Sequence, residues 1–181
     1  LSPSSAASDV YKRQGTNRAS FYRGEVSKYT WVDLGSSFLP SELIAAFLCA
    51  QLENSLDITE RRLATWRHYH SNLEKLESQG LLRRPIVPQA ANSNGHIYYI
   101  LCPDGIDRDD PIRRIAQRNV AAVIHYIPLH SAPAGIKFGR ISGDMTNTVD
   151  LSARLIRLPL HANLTRQQQD DVVGAVSAAL A

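Results

Sequence analysis

The chain has 181 residues, 44% of them hydrophobic and 20% charged, which suits one ordinary domain, or a small domain with part of a neighbour, and excludes a disordered chain. The formal net charge of +3 is mild and the basic residues are scattered (Arg61-Arg62, Arg83-Arg84, Arg113-Arg114), so no stripe points to nucleic acid. Cys49 and Cys102 sit in apolar runs without a disulfide framework or zinc spacing, which points to a reducing cytoplasm, and the longest apolar runs fall short of a membrane span.

In chain order, "LSPSSAASDVYKRQ" (residues 1–14) is rich in Ser and Ala and lacks periodicity, and it reads as a non-native junction set aside from the fold. Residues 15–40 carry Phe21, Tyr22, Tyr29 and Trp31 without a clean period, as an ordered loop at the end of a larger domain would. Pro40 suits the first position of a helix and Glu42 its first turn, where a negative charge meets exposed amides. Ile44, Leu48, Leu52 and Leu56 share a face, and Asp57-x-x-Glu60 resembles a capping box. A second periodic run, Leu63 to Leu76, stops at Gly80. Residues 41–80 are therefore one kinked helix or two helices meeting near Ser55 to Asp57, bridging two domains.

Beyond Gly80 the pattern predicts a small α/β domain over 81–181. Pro85 to Pro88 is extended, and the Asn94-Gly95 turn leads into a strand over His96 to Cys102. Asp110-Pro111 opens a helix that ends near Arg118-Asn119, and Val120 to Ile127 is the strongest strand candidate. Residues 131–148 are glycine-rich and aperiodic, hence a loop, followed by a short helical piece over Leu151 to Ile156 and an extended Leu158-Pro159-Leu160. Thr165-x-x-Gln168 is a capping box for a final helix reaching Leu180.

Few residues suggest chemistry. In "HYIPLH", Pro128 ends the strand and allows His130 to turn back toward His125; the pair is either satisfied locally or faces a polar ligand. No third ligand at useful spacing supports a metal. Ser36 and Ser37 precede a helix, where hydroxyls and amides either cap the helix or hold a phosphate or carboxylate. There is no P-loop, no dinucleotide fingerprint and no nucleophile elbow, and Lys28, Lys75 and Lys137 lack a catalytic setting.

The segments "GTNRASFYRGEVSKYTWVDLGSSFLPSELIAAFLCAQLE", "NGHIYYI", "HYIPLH" and "RLIRLPLHANLT" resemble the C-terminal half of sugar-nucleotide aminotransferases of the DegT/DnrJ/EryC1/StrS family, in register from Gly15 to about Val176. The resemblance implies the C-terminal part of a fold type I, aspartate-aminotransferase-like α/β transferase: a large cofactor domain, a long linking helix and a small α/β domain. It implies pyridoxal 5'-phosphate as cofactor and a homodimer with active sites at the subunit interface. The implied reaction moves an amino group from L-glutamate to the 4-keto carbon of a dTDP-4-keto-6-deoxyhexose, forming dTDP-4-amino-4,6-dideoxygalactose for polysaccharide synthesis of the enterobacterial common antigen type.

Carried onto this chain, Gly35-Ser36-Ser37 stands where most relatives have Gly-x-Asn, which makes Ser37, supported by Ser36, the expected contact to the cofactor phosphate across the dimer. His125, Tyr126 and His130 match the segment lining the sugar pocket, and His96 matches a histidine with a supporting role. Arg154 and Arg157 serve either an anionic group or a surface salt bridge. The family's Schiff-base lysine lies shortly before the segment that starts here at Gly15, and the only lysine ahead of that glycine is Lys12, inside the junction. The 181-residue chain is therefore expected not to transaminate on its own. Two other functions fit the residues: a sugar dehydratase of the same fold with histidine in place of that lysine, and a non-catalytic sugar-nucleotide-binding module.

Overall fold

The computed structural model describes residues 17–28, 30, 32 and 40–181. The chain divides into two compact units, residues 1–53 and 54–181. Ser36 and Ser37 lie outside the described residues, as does the 1–14 segment.

In the first unit a short helix, α1 (Arg18–Tyr22), follows Asn17, whose side chain closes a loop. Asn17 Nδ2 donates to the Lys28 carbonyl at 3.0 Å, and Asn17 Oδ1 accepts from the Thr30 amide at 2.7 Å. Helix α2 (Glu42–Glu53) starts two residues beyond Pro40 because Ser41 takes the capping position, its hydroxyl accepting from the Ile44 amide at 3.3 Å. Pro40 thus precedes the cap rather than opening the helix. Cys49 is exposed on α2, against the apolar surroundings expected for it.

The second unit opens with α3 (Ser55–Asn72) and α4 (Glu74–Ser78), so Asn54 separates two helices where the sequence left one or two open. Asp57-x-x-Glu60 is not a cap. It lies inside α3, where Asp57 pairs with Arg61 one turn on at 2.6 Å. The helical run stops as expected at Gly80, in the left-handed region at φ 74°.

Three strands follow in the order β1-β3-β2, all antiparallel: β1 (Tyr98–Leu101), β2 (Val123–Ile124) and β3 (Leu155–Leu158). Tyr98 faces Leu158 and Ile100 faces Ile156, and all four are buried. Period-two alternation turns Tyr99, Leu155 and Arg157 to the opposite face. The inner face meets α3 and α4 through Tyr69, Leu73 and Leu76, α5 (Asp109–Ala116) through Ile115, and α8 (Arg166–Leu180) through Val172, Ala175, Val176 and Ala179. Burying each large side chain here contributes about 1.5–3 kcal/mol. Tyr69 is wholly buried, and its hydroxyl donates to the Pro159 carbonyl at 2.9 Å. Burial drives the phenols of Tyr69 and Tyr98 well above their ordinary pKa, which keeps both as neutral donors.

The C-terminal helix starts where the sequence placed it, with both bonds of the Thr165/Gln168 capping box formed. Three expectations fail. The apolar run Val120 to Ile127 pairs only at Val123 and Ile124, because Val120 and Ala122 are spent filling the core beside the turn at Asn119. Residues 131–148 are not a plain loop: a 3-10 turn (Leu129–Ser131), α6 (Pro133–Phe138) and the start of α7 (Thr146–Arg154) lie there. The expected helix over Leu151 to Ile156 ends at Arg154, since Leu155 and Ile156 pair with β1. Among the described residues no helix is long and apolar enough to cross a membrane.

Candidate functional site

The outer face of the sheet forms the floor of a cavity of about 290 Å³. Tyr99, Leu155 and Arg157 rise from β1 and β3, Trp66 comes from α3, and Pro85 to Val87 form a wall. His96 and His125 both line it, reaching it from the turn before β1 and from the end of β2.

The turn that carries His96 is tightly specified. Gly95 is buried at φ 61°, and a Cβ there would sit 3.1 Å from the Leu63 amide nitrogen and 3.2 Å from the Arg62 carbonyl carbon, so the turn packs directly on the backbone of α3. Ser93 Oγ accepts from the Gly95 amide at 3.2 Å. Asn94 Oδ1 accepts from the His96 amide at 3.2 Å and lies 2.7 Å from His96 Nδ1. An oxygen that accepts from the backbone amide also needs a hydrogen on Nδ1, so this bond fixes the ring, and in the neutral imidazole Nε2 is left as an acceptor.

His125 is half-buried, and its Nδ1 is fully buried with no hydrogen-bond partner. Tyr126, next in the chain, is 79% exposed and is not part of this cavity. His130 is half-buried in the 3-10 turn and does not line it either. The cavity therefore joins His125 to His96 and leaves out His130 and Tyr126, although the Tyr126 ring packs edge-on against His125 with centroids 5.0 Å apart. The sequence treated Trp66 as a member of a helical stripe and passed over Tyr99; the β1/β3 register and the turn at Gly95 bring both to the cavity.

A larger groove of about 640 Å³ lies between the Arg118–Ala121 segment and α8. It holds none of the expected site residues. Its edge carries Asp170, which is 2.7 Å from Nε2 of the buried His68, a contact that ties α8 to α3. On the other side of that ring, Asn72 Nδ2 lies 2.9 Å from Nδ1 and donates to the His68 carbonyl at 2.8 Å. These groups already satisfy one another, so the groove offers less unspent chemistry than the smaller cavity.

Among the described residues no three His, Cys, Asp or Glu side chains gather as metal ligands. Lys28, Lys75 and Lys137 are exposed, and none lines either cavity. The described residues thus offer no buried amine for a carbonyl cofactor, and the serines expected to hold its phosphate lie outside them.

This architecture is the α/β fold of the pyridoxal-phosphate-dependent aminotransferases of fold type I, and pyridoxal phosphate is the cofactor of that fold. Residues 5–177 match the DegT/DnrJ/EryC1/StrS aminotransferase family, and the chain belongs to it. The matched span begins inside the segment set aside as a junction. The chain is 28% identical over 156 residues to the erythromycin biosynthesis sensory transduction protein EryC1 of Saccharopolyspora erythraea, covering 86% of this chain and 41% of that protein. It is 25% identical to the UDP-4-amino-4-deoxy-L-arabinose–oxoglutarate aminotransferase of Shewanella sediminis, covering 93% of this chain and 43% of that one. The PLP form of Spr1654 from Streptococcus pneumoniae superposes with a TM-score of 0.74 at 20% identity, over 96% of this chain and 43% of that one. The chain spans less than half the length of each.

Proposed function

We propose that the complete protein is a sugar-nucleotide aminotransferase that moves the amino group of L-glutamate to the 4-keto carbon of a dTDP-4-keto-6-deoxyhexose, forming dTDP-4-amino-4,6-dideoxygalactose. The observation that carries this reading is the family match across residues 5–177, nearly the whole chain. The hexose and its nucleotide rest on the likeness of residues 15–53 to one subgroup of that family. Bound pyridoxal phosphate would supply the electron sink for moving the amino group.

This chain's own part is positioning. Ser37, supported by Ser36, donates to the cofactor phosphate across a homodimer interface, and His125, Tyr126 and His130 contribute to the sugar pocket. His96, oriented by Asn94, supports the strand-end segment beside it. The exposed Tyr126 and half-buried His130 leave their surface free to complete a pocket with the large domain and a second subunit. The catalytic lysine belongs to the part of the protein before Gly15, and the enzyme works in the cytoplasm.

The complete protein loaded with pyridoxal phosphate should show its bound cofactor converted to the amine form by L-glutamate alone. Ser37→Ala should weaken cofactor retention by about 1–3 kcal/mol, the cost of a lost buried hydrogen bond. The 181-residue chain should yield no specific pyridoxal adduct on borohydride reduction. A cofactor spectrum unmoved by L-glutamate would refute the amino-donor assignment, and a specific adduct on this chain would refute the placement of the lysine.

A further inference from the structure

Of the eight asparagines in the chain, only Asn94 is followed by glycine. The pairing matters chemically. The backbone nitrogen after an asparagine can attack the side-chain amide carbon and close a five-membered imide, and glycine puts no side chain in the way. Asn94 is exposed, so water reaches it, while Gly95 is buried at φ 61° against the backbone of α3.

The hydrogen bonds of this turn fall on the atoms that such an attack would use. The Gly95 N–H, whose nitrogen is the nucleophile, donates to Ser93 Oγ at 3.2 Å, which gives its proton a way out. Asn94 Oδ1, where negative charge collects as the nitrogen adds, faces two donors: the His96 amide at 3.2 Å and His96 Nδ1 at 2.7 Å. Two donors converging on that oxygen are the arrangement of an oxyanion hole. The Nδ1 proton also lies beside the amine that must leave, within reach for general acid catalysis.

We infer that Asn94 is a self-modification site, where the Gly95 nitrogen displaces ammonia from the side chain, His96 supplies the oxyanion donors and a proton, and Ser93 accepts one. The bond from the Gly95 nitrogen to Asn94 Cγ forms as the Cγ–Nδ2 bond breaks. The Gly95 proton leaves through Ser93 to water, and the His96 Nδ1 proton goes to Nδ2, which departs as ammonia. Water returns a proton to His96. One water then opens the imide, at Cγ to leave an aspartate or at the main-chain carbonyl to leave an isoaspartate. In total one water is consumed and one ammonia released, with no oxidation or reduction. Aspartate sets a carboxylate against His96, and isoaspartate lengthens the main chain by one carbon in a turn already seated on α3.

The test reads mass rather than amino transfer, so its outcome is independent of the proposed reaction. The complete protein, loaded with pyridoxal phosphate, is aged at neutral pH beside a free peptide of residues 88–101. Mass spectrometry with fragmentation follows the conversion of amide to acid at each asparagine, and isoaspartyl methyltransferase labelling follows the isoaspartate. Asn94 should convert about tenfold or more faster in the folded protein than in the peptide, while Asn92, followed by serine, stays behind in both. His96→Ala should bring the folded rate down about tenfold or more, with Ser93→Ala giving a smaller loss. A thermal melt of each variant separates a lost proton donor from a lost fold, and the comparison with the peptide needs no variant. A folded protein that converts Asn94 no faster than the peptide overturns the site. A folded His96→Ala protein that ages at the original rate overturns the part given to His96.

Discussion

Replacing Gly95 with alanine tests how the fold builds the His96 side of the cavity. The residue is buried at φ 61°, where a Cβ costs about 1–2 kcal/mol in backbone strain. The new methyl would meet the Leu63 amide nitrogen at 3.1 Å, the Arg62 carbonyl carbon at 3.2 Å and Leu63 Cδ2 at 3.2 Å. Two of these atoms belong to the backbone of α3, which cannot yield as a side chain tip would, so overpacking adds about 1–3 kcal/mol. Together the loss should be about 2–5 kcal/mol. Gly174 supplies the opposite case: it lies in α8, and beyond the helix's own neighbouring backbone no atom comes within 4 Å of its would-be Cβ. There Gly174→Ala should stabilise by about 0.5–1 kcal/mol, because alanine is the better helix former. Urea unfolding of both variants, with an unchanged slope, measures the pair. A Gly95→Ala loss below about 0.5 kcal/mol, within the range of ordinary surface changes, would refute the claim that this turn rests on the α3 backbone.

Tyr69→Phe removes the donor to the half-buried Pro159 carbonyl and should cost about 0.5–1.5 kcal/mol in urea unfolding, and an unchanged midpoint would deny that the bond matters. Thr165→Ala removes the N-terminal cap of α8 and should cost about 1 kcal/mol, with Thr165→Ser restoring most of it. His70 stacks on Trp66 with ring centroids 4.6 Å apart, and burial first, then the charge of Arg84, lowers its pKa below the ordinary histidine value. The fold therefore favours the neutral ring. The stability contributed by that preference is present above an unfolded pKa of about 6.5 and is lost as pH falls through the lower folded value. His70→Gln should flatten that part of the pH–stability profile, and a parallel profile would contradict the direction of the shift.

What the sequence disclosed follows from the range of the interactions involved. The Thr165/Gln168 box and the stop at Gly80 depend on residues within one turn, so pattern alone located them. Asp57-x-x-Glu60 matched a similar pattern and failed, because the helix restarts from Asn54, three residues earlier, and leaves Asp57 to pair with Arg61. The 3-10 turn at Leu129–Ser131 and α6 (Pro133–Phe138) were missed for a tertiary reason. A Cβ at Gly135 would overlap the Leu129 carbonyl oxygen, so this glycine permits a close return of the chain rather than marking a loose loop. The site divides in the same way. His96, His125 and Arg157 were visible as residue types, but only the sheet register and the packing of the Gly95 turn on α3 place them around one cavity with Trp66 and Tyr99. Ser36 and Ser37 lie outside the described residues.

The central claim concerns amino transfer to a nucleotide sugar, and isotope-labelled product analysis tests it most directly. The complete protein, with pyridoxal phosphate, is given dTDP-4-keto-6-deoxyglucose and ¹⁵N-labelled L-glutamate, and the sugar nucleotide is weighed by mass spectrometry. A dTDP-4-amino-4,6-dideoxyhexose carrying one ¹⁵N is the predicted product, and galacto configuration at C4 would support the particular hexose. A sugar that has lost a hydroxyl and gained no nitrogen would contradict the account in favour of a dehydratase, and an untouched substrate would contradict catalysis on this sugar altogether.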